Sequence, residues 1–247
     1  DHRHLETVFG PKVPKLRTIL DAYSDPDNGL VAEASSVWAS ARTCNVSFQL
    51  KDRTGRVMTL EPGSRDFRRE NGRLIVHNNL LRVFEDAPKG TAERLTRNSM
   101  ALYSHLGVDT VEVDAAWTGR YTWATFGFRW DDATAQDRAV LFEAFLQRHG
   151  VPAGEARFYS RKVARNPWEL AAFDHGGIQV DHEFHRVVRD TGSGRAGLIV
   201  ETARSKLGKA FLLQPNAGMW SGEVDLTDPN APSWRRVVDR TISPRRP

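Results

Sequence analysis

Residues 74–115 read LIVHNNLLRVFEDAPKGTAERLTRNSMALYSHLGVDTVEVDA. The run from Leu74 to Phe84 is rich in branched residues and too short for a helix before Pro88, so it predicts a central strand. From Ala92 onward, Leu95, Ser99, Leu102 and Leu106 recur at three- and four-residue spacing, and Gly107 closes the run as a C-terminal cap should. Asp109 to Ala115 then alternates as a second strand. A strand, a tight Gly turn, a helix and a strand leave enough chain for a crossover and therefore for parallel pairing.

Toward the N-terminus, Val13, Leu16, Leu20 and Tyr23 share one helical stripe. Leu30, Ala34, Val37 and Trp38 share another after the DPDNG break, so a pair of amphipathic helices is expected. Asn45 to Leu50 alternates Val46, Phe48 and Leu50 with polar residues. The DRTG turn and an extended Arg56 to Leu60 complete a hairpin pattern. Arg65, Arg68, Arg69 and Arg73 crowd what reads as a connection, with a turn at Asn71-Gly72.

Beyond residue 130 the pattern becomes helical. Ala139, Phe142 and Leu146 share a face within 135–148, and Pro167-Trp168-Glu169-Leu170 opens a further helix. Ala196, Ile199, Val200, Ala203 and Leu207 predict another helix ending at Gly208. Ala210 to Leu213 and Glu223 to Leu226 read as closing strands around PNAGMWSG.

The 247 residues carry 40% apolar and 27% charged side chains, enough for one large core or two modest ones. No window approaches the roughly 18 uninterrupted apolar residues of a bilayer span, and DHRHLETVFG lacks a signal peptide's apolar core, so a soluble, cytoplasmic protein without a membrane partner is expected. Cys44 is the single cysteine, which excludes an intrachain disulfide and Cys-rich zinc modules. The formal charge of +4 sits in residues 233–247, where five Arg face one Asp; the rest balances at 30 basic and 30 acidic residues. Nucleic acid is therefore expected only through this tail or as a tRNA donor.

Ala87-Pro88-Lys89-Gly90-Thr91-Ala92 precedes the long helix. A helix N-terminus carries unpaired N–H groups and partial positive charge, so a Gly turn there makes an anion site. Gly90 gives close approach, Lys89 adds charge, and the amides of Lys89 to Ala92 would converge on one spot.

With this turn in place, LLRVFEDAPKGTAERLTRNSMALYSHLG resembles the general-control-related N-acetyltransferase (GNAT) superfamily, with its central strand, R/K-G-x-G/A turn and long helix. GVDTVEVDA resembles the next strand, and GRYTWATFGF the short helix and closing Gly-Phe, so the core maps onto residues 40–131. The resemblance implies an α/β (α+β) fold, a GNAT-like mixed twisted sheet flanked by helices. It implies a core with its N-terminal helix pair at 1–131, then a helical elaboration, closing strands and basic tail at 132–247. It further implies a bacterial N-acyltransferase that uses acetyl-CoA or another acyl-CoA as cosubstrate and an amine of a small molecule or peptide as acceptor; a homodimer is also admitted. Pyrophosphate would lie on Lys89, Gly90, Thr91 and Ala92, and pantetheine along the exposed backbone of Arg82, Val83 and Phe84. Trp123 joins the cofactor-binding set; it stands where many members carry the Tyr that protonates the leaving thiolate, with Tyr121 two residues away. The candidate base is His77, because imidazole titrates in the useful range, with Glu112 and Asp114 sharing one strand face.

Other constellations are weaker. Asp181-His182-Glu183-Phe184-His185 lacks the H-E-x-x-H spacing and reads as a polar surface segment without a metal. Thr191-Gly192-Ser193-Gly194 lacks the Walker Lys-Ser/Thr pair and reads as a turn. Trp117, Trp123, Trp130 and Trp168 read as core packing. Two alternatives to catalysis by acyl-CoA are a GNAT-like binding or structural module, of the kind found in phage- or toxin-associated proteins, and an aminoacyl-tRNA-dependent transferase.

Overall fold

The computed structural model describes residues 2–79, 81–116, 119–189, 196–214 and 217–241. The chain opens with helices α1 (His2–Phe9) and α2 (Leu16–Ala22) and the strands β1 (Val31–Ala39), β2 (Thr43–Lys51), β3 (Gly63–Glu70) and β4 (Arg73–Asn78). Helix α3 (Thr91–His105) leads to β5 (Thr110–Ala115), followed by α4 (Gly119–Phe126), α5 (Asp132–Arg148), α6 (Ala153–Val163) and α7 (Pro167–Ala172). The rest comprises β6 (Gln179–Arg189), β7 (Ala196–Lys206), α8 (Leu207–Leu213), β8 (Trp220–Asp225) and α9 (Pro232–Thr241).

Six strands form one sheet in the order β1-β2-β3-β4-β5-β8, and β6 and β7 form a separate two-stranded ribbon. Strands β1 to β4 pair antiparallel in succession. Bonds between β4 and β5 advance along both strands together. Asp109 N–H donates to Leu74 O, and His77 faces Glu112, so this pair is parallel across the α3 crossover, as its length predicts. Between β5 and β8 the bonds run in opposite senses, Asp109 with Leu226 and Asp114 with Ser221, so the sheet is mixed. The fold is thus α/β, a mixed sheet with helices around it.

Helix α3 forms where the spacing predicts it. Gly90 enters at φ 83°, and Gly107 leaves at φ 68° with its N–H on Ser104 O. Leu95, Met100, Leu102 and Tyr103 are buried. The Asn71-Gly72 turn also stands, both residues at positive φ (50° and 81°) as a two-residue hairpin requires.

Four expectations are corrected. Residues 30–38 form strand β1 rather than a helix. A bulge at Ser35 shifts the register between Ala34 opposite Phe48 and Ser36 opposite Ser47, which breaks the two-residue alternation, and Trp38 is 50% exposed. The Arg-rich connection at 65–69 lies within β3, where Gly63, Arg65 and Phe67 face inward; a buried arginine in the apolar row hid the strand. Residues 196–206 form β7, not a helix. Ile199, Val200 and Thr202 are β-branched and suit the ribbon with β6, while Ala210 to Leu213 belongs to helix α8 rather than a strand. Trp117, the Thr191–Gly194 turn and residues 242–247 of the tail lie outside the described residues. No helix among the described residues is long and apolar enough to cross a membrane.

The compact units are drawn differently from a division at 131. The first comprises residues 1–112, 187–198 and 225–247, and the second residues 113–186 and 199–224. In the first unit, Phe48, Phe67, Tyr23 and Tyr103 are fully buried, with α1 and α2 against the sheet and α3 against α2 and α9. In the second, Phe142, Phe145, Phe173 and Phe211 form an aromatic core shared by α5, α8 and the end of α7.

Candidate functional site

The first unit gathers two sets of the candidate residues. His77 near the end of β4 directs Nδ1 toward Glu112 Oε2 on β5 at 3.4 Å. Glu112 also accepts two hydrogen bonds from Arg68 Nη2, at 2.7 and 2.8 Å, and Arg68 Nε donates to Glu70 at 2.8 Å. All three groups are half-buried, with side-chain exposures of 21% for His77, 27% for Glu112 and 23% for Arg68. Burial alone would lower the pKa of Arg68, but its hydrogen bonds to two carboxylates outweigh that and raise it. The row is ordered by the strands themselves. Arg68, on β3, lies opposite Ile75 of β4, and the parallel β4–β5 pair brings His77 level with Glu112.

The turn before α3 is the second set. Thr91 donates both its N–H (3.1 Å) and its hydroxyl (2.6 Å) to Pro88 O, so its amide is already committed. Arg94 folds back over the turn. Its Nη1 donates to Lys89 O at 3.0 Å, Nη2 to Thr91 Oγ1 at 3.3 Å, and Nε to Asp25 Oδ2 at 2.7 Å. A Cβ on Gly90 would lie 3.0 Å from Arg94 Nη1, so glycine serves both the positive φ and the guanidinium beside it. Lys89, Gly90 and Ala92 are exposed. These three exposed positions and the charges of Lys89 and Arg94 are what the turn offers to an anion. The four-amide cradle is reduced, because Thr91 is spent on Pro88 and Arg94 is countered by Asp25.

The backbone of Arg82, Val83 and Phe84, expected to be exposed, is paired on one side. Leu60 N–H donates to Arg82 O and Phe84 N–H to Met58 O, both at 3.0 Å, so the strand-like segment 58–60 occupies that side. Glu85 N–H, one residue on, donates to Val187 O. Arg82 pairs with Glu61 at 3.0 Å, and burial lowers its pKa.

The second unit holds the remaining candidates. Ser221 Oγ donates to Asp114 Oδ1 at 2.6 Å. Tyr121 and Trp123 lie on α4. Lys209 Nζ sits 5.4 Å from the Tyr121 ring centroid, and Trp123 packs edge-on against Phe128 at 5.0 Å. The indole is thus part of an aromatic cluster. On the same helix Arg120, 2% exposed, donates to Leu213 O, Gln214 O and Gly218 O; burial, with a smaller contribution from Arg138, lowers its pKa to about 10.

The segment Asp181 to His185, expected to be a polar surface segment, forms part of β6. His182 is only 6% exposed, and burial lowers its pKa. No group of three metal-ligating side chains occurs among the described residues. Sequence reading missed Arg68, Arg94 and Asp25. Asp25 and Arg94 are 69 residues apart, so no local spacing announces the pair.

No protein-family model matches the chain, and no curated protein matches it. Among solved structures, it is similar at 13% identity and a TM-score of 0.28, over 91% of its length, to a fungal multi-domain GH3 β-N-acetylglucosaminidase described as containing a GCN5-related glucosamine N-acetyltransferase region. The chain spans about a third (33%) of that protein, and a superposition this loose carries no weight for fold or activity.

Proposed function

We propose that this chain is an acyl-CoA-dependent N-acyltransferase that transfers an acetyl or longer acyl group to an amine of a small molecule or peptide. The observation that carries the reading is the approach of His77 to Glu112 on neighbouring parallel strands whose connecting helix starts at an exposed Lys-Gly turn. Glu112 accepts from Nδ1–H and so makes Nε2 the basic nitrogen, the arrangement of a general base with an orienting carboxylate. Arg68 fixes that carboxylate, which makes Glu112 a positioning residue and leaves His77 as the group that removes the proton from the attacking amine. Acyl-CoA, when bound, supplies the activated acyl group. Lys89, Gly90, Ala92 and Arg94 would hold its phosphates.

Acetyl-CoA is expected to raise the melting temperature in proportion to its concentration. An amine screen that follows thiol release should then find an acceptor, and His77→Gln should lower kcat at least 100-fold while leaving KM for acetyl-CoA within about two-fold. Unchanged turnover in His77→Gln removes the base assignment.

A second reading, a binding module without catalysis, is favoured by Arg94 lying over Gly90 and by the occupied side of residues 82–84. No thermal shift at millimolar acetyl-CoA, with none for longer acyl-CoA, selects it.

A further inference from the structure

The charge balance of the sequence places the basic excess in the tail, yet the second unit carries a concentrated cationic surface of its own. Helix α6 buries Ala156, Ser160 and Val163 and packs on α5. Its opposite face, with Arg165 just past the helix end, borders a shallow, open cleft of about 540 Å³ with Gly154, Arg157, Phe158, Arg161 and Lys162. Arg157 lies 3.3 Å from Glu143, and Lys162 Nζ sits 6.0 Å from the Phe158 centroid. Among the described residues no carboxylate reaches Arg161, Lys162 or Arg165 at ion-pair distance. Phe158 is 61% exposed, an aromatic face held open to solvent among four cations.

We propose that this cleft binds single-stranded nucleic acid, with phosphates on the arginines and a base on the Phe158 ring. Arg157, Arg161 and Arg165 recur every four residues. Arg157 and Arg161 stand about 6 Å apart along the helix and Arg165 follows just past its end, so the three extend along a strand rather than converge on one phosphate. Guanidinium groups contact phosphate bidentately, and an exposed ring between them takes an unstacked base of any sequence. A duplex keeps its bases stacked and offers that ring nothing. A lipid surface would use a broader apolar face than one phenyl ring among arginines. Gly154 at the cleft wall leaves open space where a Cβ would stand. This assignment is independent of the acyltransfer reading.

The test is fluorescence anisotropy of the full chain with a labelled 12-nucleotide oligo-dT at low salt. Binding is expected to weaken steeply with salt. Arg161→Glu/Arg165→Glu should lose at least ten-fold in affinity and Phe158→Ala at least five-fold, with melting temperatures unchanged because these side chains are exposed. A duplex of the same length should bind at least five-fold more weakly. Several outcomes overturn the proposal: no binding at 50 mM salt, equal binding by the charge-reversed variant, loss of binding only when residues 233–247 are removed, or duplex bound as tightly as single strand. AMP bound as tightly as the oligonucleotide, or binding to vesicles containing phosphatidylserine without binding to oligo-dT, would equally overturn it.

Discussion

Arg94 Nε lies 2.7 Å from Oδ2 of Asp25, a residue only 3% exposed at the end of the loop after α2. The same oxygen accepts from Asn28 Nδ2 at 2.9 Å, and the Asp25 backbone closes the small loop by pairing with Leu30. One guanidinium therefore ties the N-terminal loop to the turn in which α3 begins. Arg94→Met strips the buried carboxylate of its cation and should cost about 2 kcal/mol in denaturant unfolding. That is less than for a fully buried pair, because the Arg94 side chain is 34% exposed. Asp25→Asn combined with Arg94→Met should recover much of the loss. A strictly additive double variant would show that the pair is not coupled.

Alkaline pH should expose a second buried network. The Tyr23 and Tyr103 hydroxyls bond to each other, Tyr103 donates to Asn78 Oδ1 at 2.6 Å, and the Arg65 guanidinium lies 4.9 Å from the Tyr23 ring centroid. Burial is the largest cause raising both phenol pKa values above the ordinary 10, that of Tyr23 well above it. Between 10 and the folded values the unfolded chain has released protons that the folded chain retains, so stability is present below pH 10 and falls as pH rises. Denaturant midpoints at pH 8 and pH 10.5 should differ in the parent chain, and the difference should shrink in Tyr23→Phe. An unchanged difference would place the alkaline step elsewhere.

Cys44 should be chemically silent in the folded protein. It is fully buried on β2, and burial, aided by the charge of Asp66, pushes its thiol to about 11. Thiolate is the reactive form, so Ellman's reagent at pH 8 should find no thiol until denaturant is added. Prompt reaction in native buffer would contradict the packing of β2, and it would also interfere with any assay based on released thiol.

The parts legible in the sequence are those whose signals are local. The β4–α3–β5 crossover is written in the Leu95–Leu102 spacing between Gly90 and Gly107, and the hairpin in Asn71-Gly72, where backbone conformation alone selects the residues. Strand β3 escapes because its inward row contains Arg65, whose burial depends on two distant aromatic rings, Tyr23 and Phe48. Strand β7 escapes because a two-stranded ribbon leaves Leu198, Ile199 and Val200 exposed and supplies no core-facing alternation to read. For the candidate site, His77 and Glu112 were legible as strand residues. The partners that constrain them were not. Arg68 meets Glu112 across 44 residues, and Arg94 meets Asp25 across 69, contacts that only the sheet order and the loop closure create.

Among the described glycines of the second unit, Gly208 leaves the least room for a side chain. It sits in the first turn of α8 beside the end of α7, with its N–H donating to Phe173 O at 3.2 Å. A Cβ there would fall 1.8 Å from Leu170 O and 3.0 Å from Phe173 Cβ. The obstacle is backbone, which cannot rotate away, so Gly208→Ala must separate α7 from α8 and disturb the aromatic core around Phe142, Phe173 and Phe211. The expected cost is about 3 kcal/mol or more. Gly154→Ala makes the control, since open space surrounds that position and alanine favours the helix; it should be neutral or slightly stabilising. Equal melting temperatures for the two variants would mean that α7 and α8 do not pack through Gly208.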